Sequence, residues 1–101
     1  MRQQIGKYSV TIWSFNNQIA GYIGLYTANY KRIAQITFYN DGHDVPKNST
    51  SGDIVNLNFP FSKYQVVLDV LRNEDPVWLN YNDINALGTI SSSKEPVGEG
   101  E

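Results

Sequence analysis

The sequence predicts an α+β domain, an antiparallel sheet in the order ββββ-α-ββ with one helix packed on one face. Three observations predict it. Apolar and polar residues alternate with a period of two through residues 7–13, 18–26, 31–39 and 53–59. A helical stripe with its own start signal occupies 62–72, and alternation returns over 77–91. At 101 residues, with 41% apolar and 13% aromatic content, the chain suits one globular domain and is too short for two. That domain is assigned to residues 1–91, followed by a polar, acidic tail at 92–101 with little to bury.

In the first strand Tyr8, Val10 and Ile12 alternate with Lys7, Ser9, Thr11 and Trp13. The second sets Ile19, Gly21, Ile23 and Leu25 against Ala20, Tyr22, Gly24 and Tyr26. Between them Asn16-Asn17 suits a type I′ turn, because asparagine tolerates positive φ. That turn makes paired residue numbers sum to 33, placing Val10 opposite Ile23 and Lys7 opposite Tyr26. The third strand, Lys31 to Tyr39, turns Ala34, Ile36 and Phe38 inward and Lys31, Ile33, Gln35, Thr37 and Tyr39 outward. After a loop to Gly52, the fourth turns Val55, Leu57 and Phe59 inward and Asn56 and Asn58 outward. Ser62 and Gln65 have the spacing of a capping box, and Phe61 is placed to staple against Val66. Tyr64, Val67, Leu68 and Leu71 make the helical stripe, which Asn73 and Pro76 end. Val77, Leu79 and Tyr81 form a fifth strand, and Ala86 to Ser91 a sixth.

Charge is distributed unevenly. Residues 1–40 hold Arg2, Lys7, Lys31 and Arg32, eight aromatics and no carboxylate; all ten acidic residues lie at or beyond Asp41. The net charge of −2 argues against a strongly electrostatic nucleic-acid binder, but the asymmetry can orient one surface toward a polyanion. The outward side chains put rings, amides and a few cations on one face, the chemistry of a single-stranded nucleic-acid platform. The candidate ligand-binding residues are Lys7, Trp13, Tyr22, Tyr26, Lys31, Tyr39, Asn56 and Asn58. Trp13, Tyr22 and Tyr26 would stack on bases, Lys7 and Lys31 would meet phosphates, and Asn56 and Asn58 would reach base edges. The alternative is a protein-interaction or assembly module, a homodimer or a small inhibitor of a larger complex, since Tyr and Trp are also enriched at interfaces.

Four antiparallel strands followed by a helix resemble, over residues 7–73, the single-stranded DNA-binding fold of the Whirly proteins and related transcriptional coactivators. The resemblance implies a nucleic-acid ligand. It is one of element order: the Lys-Gly-Lys-Ala-Ala-Leu signature of the plant proteins is absent, so no family residues are carried over.

Catalytic chemistry is not expected. The single histidine, His43, lies in the polar turn Asn40-Asp41-Gly42-His43-Asp44, and no serine has a Gly-x-Ser-x-Gly context. No nucleophile and base are implied as a pair, and no cofactor or metal is expected. The absence of cysteine excludes disulfides and thiolate metal sites. With no apolar segment in the first residues and no run long enough to span a bilayer, a cytoplasmic location is expected. The Asn48-Ser49-Thr50 sequon is read as chance.

Overall fold

The computed structural model describes residues 1–92; apart from Ser92, the expected acidic tail lies outside the described residues. The chain is α+β. In order it forms β1 (Arg2–Ile5), β2 (Lys7–Ile12), β3 (Ile19–Tyr26), β4 (Arg32–Tyr39), β5 (Ser49–Ser51) and β6 (Ile54–Pro60). A 3-10 turn over Phe61–Lys63 leads into α1 (Tyr64–Asn73), and β7 (Val77–Asn82) and β8 (Leu87–Ser92) follow.

The strands divide between two sheets, β2-β3-β4-β6-β5 and β1-β7-β8. The β2–β3 register is the one expected from the turn position, with Val10 opposite Ile23 and Lys7 opposite Tyr26. The turn chemistry differs. Neither Asn16 nor Asn17 has positive φ. Instead Asn16 Oδ1 accepts from the backbone N–H of Gln18 (2.9 Å) and of Ile19 (2.8 Å). A side-chain acceptor replaces the strained backbone of a type I′ turn, as asparagine commonly does.

β6 runs parallel to β4, pairing Ile36 with Leu57, where an all-antiparallel sheet was expected. The chain returns through the 40–48 loop and β5, which is antiparallel to β6, and so enters β6 from the same end as β4. Two irregularities break the alternation. Ala20 is an extra residue between the Ile19–Tyr39 and Gly21–Phe38 pairs, and Ile33 is extra between Leu25–Ala34 and Tyr26–Arg32. The bulge buries Ile33 to 6% exposure, although simple alternation put it outward.

Ile23, Leu25, Ile36, Phe38 and Leu57 form a fully buried inner face. Val67 and Leu71 of α1 join Val77, Leu79 and Tyr81 of β7 in the same core. The helix alone was expected to cover this face. Ten helical residues span about 15 Å and form a single row, so the small sheet covers the remainder. β8 approaches so closely that a Cβ on Gly88 would lie 2.1 Å from Leu57 Cδ2. β1 is held to β7 by pairing Gln3 with Leu79, and the Arg2 guanidinium lies 4.1 Å from the Trp78 ring centroid.

The helix begins differently from the expected capping box. Pro60, with φ −67°, caps the 3-10 turn, and no side chain caps either helical start. Proline's fixed φ suits the first turn and starts it before Ser62 can act as a cap. Gln65 Nε2 donates to Asp69 Oδ1 (2.8 Å), and Phe61 stacks on Tyr64 (5.2 Å). Tyr64 in turn meets Phe38 edge-on at 5.2 Å, anchoring the helix to the inner face.

Candidate ligand-binding face

The opposite face of the five-stranded sheet is free of the helix and of the small sheet. It presents Ser9 and Thr11 from β2, Tyr22, Gly24 and Tyr26 from β3, Gln35, Thr37 and Tyr39 from β4, and Asn56 and Asn58 from β6. Trp13 lies just past β2, 38% exposed, and meets Tyr22 edge-on with centroids 5.7 Å apart and planes at 87°. Neither ring belongs to the core. Tyr22 and Tyr26 are four residues apart on one strand, hence about 13 Å.

Gly24 shapes the middle of this surface. A Cβ there would sit 2.9 Å from Tyr26 Oη and 3.2 Å from Tyr26 Cε1, so the missing side chain lets the tyrosine fold back over the strand. Ser9 Oγ shares a 3.3 Å hydrogen bond with Tyr26 Oη and fixes the ring in place. At the β2 edge, Lys7 Nζ lies 4.5 Å from the Tyr30 ring centroid. Gly6, Lys7, Tyr8, Ser9, Tyr26 and Tyr30 line an open hollow of about 650 Å³. Tyr30 has φ 66°, a left-handed conformation that non-glycine residues adopt at a cost of roughly 1–2 kcal/mol. Its turn is closed by Thr27, whose carbonyl accepts from Tyr30 N–H (3.0 Å) and whose Oγ1 accepts from Lys31 N–H (3.1 Å).

The structure brings most of the expected residues together and redistributes the rest. Lys31 lies in the exposed turn before β4. Because of the bulge, Arg32 stands opposite Tyr26, and its guanidinium donates to Gln35 Oε1. Gln35 Nε2 continues the chain to Thr37 Oγ1 at 3.4 Å. Arg32 thus takes the position on the face that alternation gave to Lys31. Asn56 is half-buried, and its amide makes no hydrogen bond among the described residues. Asn58 is committed to the fold: its N–H donates to Asn48 Oδ1 (2.7 Å) and its Nδ2 to the Lys47 carbonyl (2.9 Å). Tyr39 is half-buried at the far end, opposite Ile19 and Pro60.

Tyr30 and Arg32 are the members that alternation did not place. Tyr30 lies between strands, where periodicity carries no signal. Arg32 was detectable only through Ile33, an apolar residue at a nominally outward position, which is the trace a bulge leaves. Arg2 does not join this face, since β1 carries it to the small sheet. Among the described residues no carboxylate occurs on β2, β3, β4 or β6; all lie in loops, in turns or on α1.

No family model, curated protein or solved structure matches this chain. The likeness to the Whirly-like fold therefore stands on element order, and the parallel β4–β6 pair departs from the four antiparallel strands on which it was drawn.

Proposed function

We propose that the outer face of the five-stranded sheet binds single-stranded nucleic acid without catalysing a reaction on it. The observation that carries this reading is the separation of chemistry. Rings and cations share one open face, while the carboxylates of the described residues lie elsewhere. Trp13 with Tyr22, and Tyr26 with Tyr30, form two stacking stations, each base worth about 1–3 kcal/mol. Lys7 and Arg32, with Lys31 in the flanking turn, meet phosphates. Asn56 supplies an uncommitted amide to a base edge. No helix among the described residues is long and apolar enough to cross a membrane, and a cytoplasmic location is part of this proposal.

Few cations imply a modest salt dependence. Neutralising two or three phosphates gives a slope of log K against log salt of about −1.4 to −2.1. Titration of a labelled oligo-dT at low salt, followed by anisotropy, is expected to show saturable binding with that slope. Absence of binding below roughly 100 μM would overturn the proposal, because even non-specific binders reach that range.

A further inference from the structure

β2 ends the five-stranded sheet, and among the described residues only β3 pairs with it. The Trp13 N–H donates to the Ala20 carbonyl (3.0 Å), which sets the phase of the ladder. Odd-numbered residues of β2 bond to β3, so Tyr8, Val10 and Ile12 direct their N–H and C=O groups at the open edge. Sheets usually protect such an edge with proline, inward charge, a bulge or brevity. β5, at the other end, is only three residues long. β2 has six residues, no proline, and one charge at its first position. Val10 and Ile12 are 40% and 51% exposed, on the inner side where neither helix nor small sheet reaches.

We infer that this edge pairs with the same edge of a second copy, joining two five-stranded sheets through an antiparallel β2–β2 ladder. The strand is complementary to itself in one register. A two-fold axis perpendicular to the sheet keeps the inner faces together, so only residues of the same parity can oppose each other. With the axis at Val10, Val10 meets the partner's Val10, and Tyr8 meets the partner's Ile12. All three open residues of each strand then bond to one another, six hydrogen bonds in all by the alternation of an antiparallel ladder. A shift of either sign leaves at least one of them without an open counterpart.

Side chains favour the same register. Tyr8, Val10 and Ile12 of both copies form one apolar stripe that covers the exposed inner side of the edge. Lys7 comes opposite the partner's Trp13 and about 20 Å from the partner's Lys7, so the only charge in the strand meets a ring and not its like. Tyr22, Tyr26, Arg32, Gln35 and Asn56 lie away from the seam and remain open, on a continuous ten-stranded sheet.

The test is the mass of the whole chain in solution, measured without nucleic acid by sedimentation equilibrium at about 10–500 μM. Its failure is thereby distinguishable from failure of the binding proposal. The expected species is twice the 11.4 kDa chain mass. Val10→Pro removes an N–H that serves only the open edge, and Val10→Lys puts two like charges on the axis; each is expected to give a monomer with an unchanged circular dichroism spectrum. Amide exchange on the unmodified chain is a second readout needing no variant, with protection at Tyr8, Val10 and Ile12 rising with protein concentration. A monomer at the highest concentration overturns the inference, as does a dimer that both variants leave intact. Fast, concentration-independent exchange at the three amides does the same.

Discussion

Asn48 tests the account of how the long β4–β6 connection is held. Its Oδ1 accepts from Asn58 N–H at 2.7 Å, and its Nδ2 donates to the Ala86 carbonyl at 2.9 Å. One side chain thus ties the loop to β6 and to the β7–β8 turn, bridging the two sheets. Asn48→Ala removes both bonds and leaves both partners to find water. Each neutral hydrogen bond contributes about 0.5–1.5 kcal/mol net, so the pair is worth about 1–3 kcal/mol. The site is only partly buried, which favours the lower half of that range, about 1–2 kcal/mol. For a domain of this size, 1 kcal/mol moves Tm by about 4–8 °C, so the expected loss is about 4–16 °C. Asn48→Asp keeps the acceptor but sets a carboxylate against the Ala86 carbonyl, and is expected to be no better than alanine. Asn56→Ala is the matched control on β6, because its amide has no partner among the described residues; it should stay within about 0.5 kcal/mol of the parent. Urea and thermal unfolding measure all three. If Asn48→Ala unfolds like Asn56→Ala, the bridge does not hold the sheets and the reasoning fails.

Other expectations are briefer. Gly6 joins β1 to β2, and a Cβ there would fall 2.3 Å from the Ala28 backbone nitrogen, which no rotamer change can relieve. Gly6→Ala should therefore cost at least the upper end of the roughly 1–3 kcal/mol typical of overpacking, read from urea midpoints or loss of soluble protein. Ala86 has φ 56°, so Ala86→Gly is expected to raise stability by about 0.5–1 kcal/mol, since relief of strain exceeds the entropic cost of glycine. Tyr30→Gly separates stability from binding. Relief of a φ of 66° should leave Tm unchanged or higher, while loss of the ring weakens oligo-dT binding by about 5- to 150-fold.

The β2–β3 register was readable because two independent signals agreed. The alternation of Tyr8, Val10 and Ile12 fixes a face, and the turn position fixes the sum of paired numbers. The same reasoning found the buried row of Ile23, Leu25, Ala34, Ile36 and Phe38, because period-two patterning reports which residues share a side. It is blind to strand direction, which is why Val55, Leu57 and Phe59 were correctly set inward while the parallel course of β6 escaped. It also loses phase at an extra residue, so Ile33 was placed outward and Lys31 was given the position that Arg32 holds. β1 has no visible pattern in Arg-Gln-Gln-Ile, and its partner lies on β7. The apparent capping box failed because Ser62 competes with Pro60, whose ring already fixes the helical start. Of the candidate site, the rings were legible from alternation. Asn58 was not, because whether an amide faces solvent or a loop carbonyl depends on where the 40–48 segment lies.

The pairing of Gln3 with Leu79 has a consequence for the growing chain. During vectorial synthesis β1 emerges well before β7, the one strand it pairs with among the described residues. The five-stranded sheet can assemble from residues 7–60 in the interval, but Ile23, Ile36 and Leu57 would then face water until α1, β7 and β8 arrive to close over them. Pairing across such sequence distances is slow, in the millisecond-to-second range typical of non-local topologies. β1 therefore has no pairing partner among the described strands until β7 has been made, and the small sheet can be completed over Ile23, Ile36 and Leu57 only after that point.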